Sequence, residues 1–422
     1  MGHEQCAGIP PAFSVSLLVW YDRVRRELPW RATRDPYAIW VSEVVLQQTR
    51  VAQGVGYYER FMARFPDVHA LAAASVQEVL AVWQGLGYYS RAIHMHRAAV
   101  IIAVERGGRF PQTAQEWQQL PGVGAYTAAA VSSIVFDFPA AVVDGNVLRV
   151  MARLSCEPRP VREQAARKRL ERLADSALDG NRPGDYNQAI MELGAVCCTP
   201  RQPRCGTCPV TPHCNAFQLN LVERFPVAAT KKARKVVSLF YLLYVVPGGL
   251  YLRQRGSDSI WKQMWEFKPV DEGQFNRMCE MAEGFAPEAR DFHPNTQRGG
   301  ANHGSEKSKS YRRNSGKELR KGGEPDRNKP PGIDGGTRLG AVKPAPGVIE
   351  NDVQCRPLIS TIKRIEHHLT HRQLNITLLT VEWGIGFSDD SLTFVVWNDL
   401  KNYPLPVVFY EYLKEIDYGR IE

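Results

Sequence analysis

The chain has 422 residues, 44% of them hydrophobic, with 53 Lys and Arg against 44 Asp and Glu for a formal charge of +9. That apolar content exceeds what a disordered chain carries and supplies core for two or three domains. No run of about 18 apolar residues occurs, and residues 1–11 lack the basic-then-apolar pattern of an export signal, so neither a membrane nor export is indicated and a cytoplasmic location is expected.

The basic excess is concentrated in one segment. Residues 293–347 hold 12 Lys and Arg against 5 Asp and Glu, with 11 Gly, 6 Pro and only Tyr311, Leu319, Ile333, Leu339 and Val342 from the large apolar set, whereas the remainder has 41 basic against 39 acidic residues. Such a segment buries too little to order itself and is expected to be a disordered insertion. Global charge is therefore weak evidence for a nucleic-acid site.

Residues 13–26 have the spacing of an amphipathic helix that Pro29 stops. Trp30 and Arg31, an aromatic ring and a fork of donors, then open a loop against which a planar base can stack. Asp35-Pro36 pairs a capping carboxylate with a proline suited to the first helical position, and a helix is expected over 37–50. It carries Ile39, Trp40, Val41, Val44, Val45 and Leu46, with Glu43 set among them. A free glutamate titrates near ~4.3, apolar surroundings raise that value, and a raised value keeps the acid protonated near neutrality, as general acid catalysis requires.

Trp83-Gln84-Gly85-Leu86-Gly87-Tyr88-Tyr89 is a glycine-flexed turn ending in two aromatics, of the kind that wedges between base pairs. Leu120-Pro121-Gly122-Val123-Gly124-Ala125-Tyr126-Thr127 is a second. Gly122 and Gly124 flank Val123 between two helical patterns, so the backbone turns tightly and lays its N–H groups against an anion such as a phosphate. Alone, this run also suits a turn between two core helices. The helix that follows is rich in small residues, Ala128, Ala129 and Ala130, and leads to Asp144, held at a turn by Gly145 and Asn146, which places a carboxylate beside the clamped phosphate.

Four of the nine cysteines, Cys198, Cys205, Cys208 and Cys214, form a C-x6-C-x2-C-x5-C run, with Cys197 an adjacent extra. In an intracellular chain this means metal rather than disulfides, and spacing alone leaves zinc and iron–sulfur both open. A basic linker, Lys231-Lys232-Ala233-Arg234-Lys235, precedes strands expected at 236–246, 250–253, 374–383 and 392–397 and a helix at 407–416, a small α+β domain that the insertion interrupts.

The hairpin followed by Asp144 resembles the helix-hairpin-helix DNA glycosylases. Ser42-Glu43-Val44-Val45-Leu46-Gln47-Gln48-Thr49 resembles the SEVMLQQT motif of the adenine DNA glycosylases, the MutY family, and departs from it only at Val45. The resemblance implies that Glu43 protonates the adenine to be expelled and Asp144 stabilises the sugar. It also implies that Tyr88 is the wedge with Gln48 near the duplex, and that Gln188 offers donor and acceptor to the adenine edge. The four cysteines would hold a [4Fe–4S] cluster in the loop 198–214, with Arg201 and Arg204 meeting phosphates. Members resembling endonuclease III place a lysine where this chain has Tyr126, and that amine attacks the sugar. Tyr126 fits the MutY pattern instead, a hydroxyl expected to bond Asp144, so strand cleavage is expected to be inefficient.

The C-terminal part looks like the Nudix-like domain of MutY proteins, with residues 260–267 in a family-like place. It lacks the Arg-Glu and Glu-Glu pair that Nudix hydrolases use for magnesium, so lesion reading is the expected role. Where the family's lesion loop commonly carries Phe-Ser-His, this chain has Leu369-Thr370-His371; Thr370 and His371 keep donor and acceptor capacity toward 8-oxoguanine.

The expected architecture is a mainly α N-terminal helix-hairpin-helix glycosylase module over residues 1–225 with an iron–sulfur cluster loop, a linker over 226–235, and an α+β Nudix-like C-terminal domain over 236–422. The expected protein is a monomeric, nucleoid-associated glycosylase acting on double-stranded DNA with A opposite 8-oxoguanine or G. A bifunctional glycosylase/lyase for oxidised pyrimidines shares the hairpin, aspartate and cysteines, but Tyr126 and Glu43 speak against it. A non-enzymatic damage sensor is opposed by the intact carboxylate pair.

Overall fold

The structure, a computed structural model, describes residues 9–229, 233–256, 260–283, 358–369, 372–384 and 387–416. The insertion 293–347 and the lesion-loop residues Thr370 and His371 lie outside the described residues. Residues 1–279 and 356–422 make one compact unit; 280–355 make a second, of which only residues 280–283 are described.

The first part of the chain is helical: α1 (Ala12–Val24), α2 (Pro36–Leu46), α3 (Val51–Arg64), α4 (Val68–Ala73), α5 (Val76–Trp83), α6 (Ser90–Val100), α7 (Ala114–Trp117), α8 (Ala125–Phe136), α9 (Gly145–Ser155), α10 (Gln164–Ala177), α11 (Pro183–Glu192) and α12 (Asn215–Gln218). Local sequence sets several of the starts. Asp35 accepts hydrogen bonds from the N–H groups of Tyr37 and Ala38 with Pro36 beginning α2, and Ser75 with Glu78 and Thr113 with Glu116 form reciprocal capping boxes.

The helix expected over 37–50 stops at Leu46 instead, because Gln48 takes a left-handed conformation, φ 57°, before α3 restarts the chain. Its small residues let α8 sit at the centre. Ala128, Ala130, Ser132 and Ser133 are buried, and on α11 Gly184 comes so close that a Cβ there would lie 2.6 Å from the Ser133 carbonyl oxygen. Around it Trp40, Trp83, Trp117, Phe61 and Phe65 fill one continuous core.

The rest is a seven-stranded sheet with two helices: β1 (Lys235–Val246), β2 (Gly249–Gln254), β3 (Trp265–Glu266), β4 (Lys268–Val270), α13 (Glu272–Glu283), β5 (Leu358–His368), β6 (Arg372–Glu382), β7 (Thr393–Val396) and α14 (Val407–Glu415). The order is β3-β2-β1-β6-β5, with β4 on β1 and β7 on β2; β1 and β6 run parallel, from Lys235 opposite Arg372 to Val245 opposite Glu382. Phe409, Tyr412 and Leu413 of α14 cover one face against Tyr241, Leu243 and Phe267, while Phe275 of α13 meets Leu242, Tyr244 and Leu379 on the other. Neither β5 nor α13 was expected from the sequence. β5 is an edge strand whose half-buried positions hold Lys363, Ile365 and His367 while Ile362 is exposed, so no apolar alternation marks it.

The sheet packs on the helices through its loop 260–265. Met264 is fully buried in the helical core, and the Gln77 amide of α5 donates to the Gln263 carbonyl at 3.0 Å and accepts from the Trp265 indole N–H at 3.1 Å. Behind the turn that bears Tyr88, the Tyr89 hydroxyl is hydrogen-bonded to the backbone of Val407 at the start of α14.

Candidate active site

Glu43 lies on α2 with Trp40, Val41, Val44 and Val45, all buried, and is itself only 7% exposed. Burial pushes its pKa up to about 7; the hydrogen bond with Tyr126 opposes this, the negative charge of Asp144 adds to it, and Arg31 lowers it. The carboxyl group is thus half-protonated near neutrality.

Tyr126, on the first turn of α8, also places its hydroxyl 3.1 Å from the Met191 sulfur. Burial and the two nearby carboxylates, Glu43 and Asp144, hold the phenol well above its ordinary pKa, so it remains a donor. Its carboxyl partner is Glu43, which corrects the expected bond to Asp144. Asp144 is already committed: one oxygen accepts from the Val147 N–H at 2.7 Å, capping α9, and the other from the Asn146 amide at 2.8 Å. A side-chain oxygen at the N-cap position accepts from the open N–H groups of the first turn of α9.

The orientation of Asp144 is enforced from behind. Asn146 accepts at its own oxygen from Arg149 at 3.0 Å, and Arg149 donates to the carbonyls of Gly194 at 2.7 Å and Cys198 at 2.8 Å. One turn later, Arg153 donates to the Cys198 sulfur at 3.2 Å and to the Thr199 carbonyl at 2.8 Å. The aspartate is therefore connected through α9 to the cysteine segment. Cys198, Cys205, Cys208 and Cys214, with Cys197, line one cavity alongside Val150, Arg153 and Leu154. Cys197 is hydrogen-bonded to Cys208. Arg201 and Arg204 are exposed.

The hairpin has the geometry of an anion cradle. Gly122 has φ 76°, and a Cβ on it would sit 2.5 Å from that of His94 on α6, so only glycine fits. Gly124 begins α8 without a side-chain cap, which leaves the first N–H groups of a 12-residue helix open to an outside acceptor; Val123 between them is buried.

The remaining sequence candidates are distributed unequally. Tyr88, 48% exposed with φ 49°, and Gln48, exposed with φ 57°, project from turns at the ends of α5 and α2. Gln188 is half-buried on α11. Trp30 is only 6% exposed and sits edge-on to Tyr58 at 5.2 Å, within the core. The Arg31 fork is engaged, donating to Glu192 at 2.9 Å and to the Arg26 carbonyl at 3.1 Å.

Sequence reading passed over Glu192, which is buried and bonded to both Arg26 and Arg31. It also passed over Arg91 and Arg149. Their signal was faint: an arginine just after the paired tyrosines, another just after Asp-Gly-Asn, and an acid in an otherwise apolar stretch of helix.

Residues 41–175 match the HhH-GPD superfamily of base excision DNA repair proteins. The adenine DNA glycosylase of Mus musculus is 48% identical over 216 residues, 49% of this chain and 42% of that protein. That of Buchnera aphidicola subsp. Schizaphis graminum is 31% identical over 260 residues, 61% of this chain and 75% of that protein. A solved structure of a thermostable thymine-DNA glycosylase aligns with 49% of this chain and 96% of its own at 29% identity and a TM-score of 0.45. The matched stretch spans about two fifths of the length of the mammalian relatives.

Proposed function

The chain belongs to the adenine DNA glycosylase family, and from that premise we propose that it excises adenine mispaired with 8-oxoguanine or G from double-stranded DNA by hydrolysing the N-glycosidic bond. The observation that carries the reading is the pairing of a buried Glu43, titrating at about 7, with an Asp144 held by two donors and facing the same tyrosine. A carboxyl group whose pKa is raised toward neutrality, with a second carboxyl group beside it, is the arrangement glycoside hydrolysis uses. The strand is gripped at Gly122, Val123 and Gly124, and the adenine leaves the stack, most easily from a strained mispair. Glu43 donates its proton to adenine N7. The glycosidic bond breaks, its electron pair goes to the base, and the Asp144 carboxylate stabilises the oxocarbenium-like sugar. Glu43, now ionised, takes a proton from the attacking water.

Gln188 and Arg31 border the adenine in this reading, with Trp30 behind them. Tyr126 supplies no amine, so no Schiff base forms and the backbone stays intact. Cys198, Cys205, Cys208 and Cys214 are the donors for a [4Fe–4S] cluster. The four line one cavity with Cys197, and thiols ringing a cavity suit a cluster several atoms across. The cluster would brace the loop bearing Arg201 and Arg204 against phosphates. The sheet module is the Nudix-like reader of 8-oxoguanine, through Thr370 and His371, and the protein acts as a monomer at the nucleoid.

A single-turnover assay on duplexes carrying A opposite 8-oxoguanine, analysed with and without alkali, tests this. Breaks that need alkali support it. Breaks without alkali mean a lyase, and intact DNA in both arms means a binding protein only.

A further inference from the structure

Two non-glycine residues on the DNA-facing turns are held in the left-handed region, Gln48 at φ 57° and Tyr88 at φ 49°. Each such conformation costs on the order of 1 kcal/mol or more and persists only where its surroundings enforce it. The enforcing group lies between them. Arg91, on the first turn of α6, donates from Nη1 to the carbonyls of Val44 at 2.7 Å, Val45 at 3.0 Å and Gln47 at 2.7 Å, and from Nη2 to Gly87 at 3.1 Å. Its guanidinium lies over the rings of Trp83, at 5.2 Å, and Tyr88, at 5.6 Å.

Arg91 therefore has one nitrogen on the last turn of the helix that carries Glu43, immediately before Gln48. The other nitrogen is on the residue immediately before Tyr88. Its hydrogen-bond partners are four carbonyl oxygens, three of them at the negative end of a helix. Burial lowers its pKa to about 10, and the four carbonyl acceptors offset part of that desolvation cost. A lysine presents a single point charge and spans this gap poorly, whereas a planar fork bridges it.

Resting on the glycosylase reading above, we propose that Arg91 is the positioning residue that locks the two duplex-entering residues, Gln48 and Tyr88, to the end of the Glu43 helix. Insertion of Tyr88 into the stack and presentation of the proton donor are then one rigid movement.

The test uses the full chain and a duplex with 2-aminopurine in place of adenine opposite 8-oxoguanine, whose fluorescence rises on unstacking whether or not excision follows. Arg91→Met keeps the stem on Trp83 and removes every donor; Arg91→Lys keeps the charge. At saturating protein, Arg91→Met is expected to give less than about a fifth of the parent's rise and Arg91→Lys an intermediate one, with affinity for the duplex changed less than about threefold. A parent-like rise in Arg91→Met overturns the proposal, as does the absence of any rise with the parent chain or a loss of signal that merely follows lost binding. If Arg91→Met does not fold, Arg91→Lys decides: a reduced rise at a parent-like unfolding temperature supports the proposal, and a parent-like rise, or a reduced one that comes with a lowered unfolding temperature, overturns it. Failure of the parent to excise adenine, with the fluorescence contrast intact, counts against the glycosylase reading and not against Arg91.

Discussion

Each module buries a glutamate, and the two are treated in opposite ways. Glu266, in the sheet, has no exposed surface and is bonded to Arg253 at 2.8 Å and to Arg255. Glu43, in the helical cleft, is nearly as buried but receives no guanidinium; its hydrogen-bond partner is a phenol, and one of the charges acting on it is the like-signed Asp144. Glu192 repeats the sheet's solution inside the helical module: burial raises its pKa, but bonds from Arg26 and Arg31 more than reverse that. A buried carboxyl group bonded to guanidinium groups becomes a structural tie, whereas Glu43, desolvated and bonded to a phenol, keeps a raised pKa.

Removing the proton from Glu43 should have the largest effect. Glu43→Gln is expected to lower single-turnover excision at least ~10³-fold, the upper range for a general acid, with duplex affinity by fluorescence anisotropy little changed; excision at the parent rate would remove Glu43 from the chemistry. At the cation-rich site the loss is one of stability. Glu266→Ala takes its carboxylate from Arg255, which is 12% exposed, and should cost roughly 2 to 4 kcal/mol in urea unfolding, whereas a loss below about 1 kcal/mol would make the pair ornamental.

The pH dependence separates the two kinds of carboxyl group by sign. The folded-state pKa of Glu43, about 7, lies above its unfolded value, so the stability it confers is complete below about 4.5 and disappears as pH rises through 7, a swing of roughly 2 to 4 kcal/mol. Glu43→Gln should therefore be more stable than the parent at pH 8 and nearly equal to it at pH 4, and the parent's excision rate should decline above pH 7. The lowered pKa of Glu192 acts oppositely: its contribution is present above about 4.5 and lost as pH falls through the folded value. A thermal-unfolding series that shows no pH-dependent gap between Glu43→Gln and parent would refute the burial argument. The smallest effect concerns the seam between modules. Gln77→Leu loses the bonds to Gln263 and Trp265 and should cost about 1 to 2 kcal/mol, leaving single-turnover chemistry at saturating enzyme unchanged.

The motifs were legible because their chemistry is local. Asp35-Pro36 and the Gly122–Gly124 turn are each written within a few residues, and the structure places them as local rules require, whereas Asp144, expected at a turn, caps α9. The strands 236–246 and 374–383 were equally readable from apolar runs, with ends shifted by a residue or two. Edge strand β5 was not, since Lys363 and His367 occupy half-buried positions and break the apolar alternation that identifies a strand.

By itself the sequence singled out the side chains on which the proposed chemistry rests, Glu43, Asp144, Tyr126 and the four cysteines, and placed several of the helices. Tertiary structure alone decided the protonation of Glu43, because desolvation and the nearness of Asp144 are sums over residues about a hundred positions apart. It also decided that Tyr126 bonds the glutamate and not the aspartate, that Trp30 belongs to the core, and that α2 ends at Leu46. Beside that helix end lies Arg91, whose guanidinium takes carbonyls from two turns that meet only in the folded chain. Hydrogen bonds to backbone carbonyls leave no mark in residue type, so a sequence names the arginine without naming its partners.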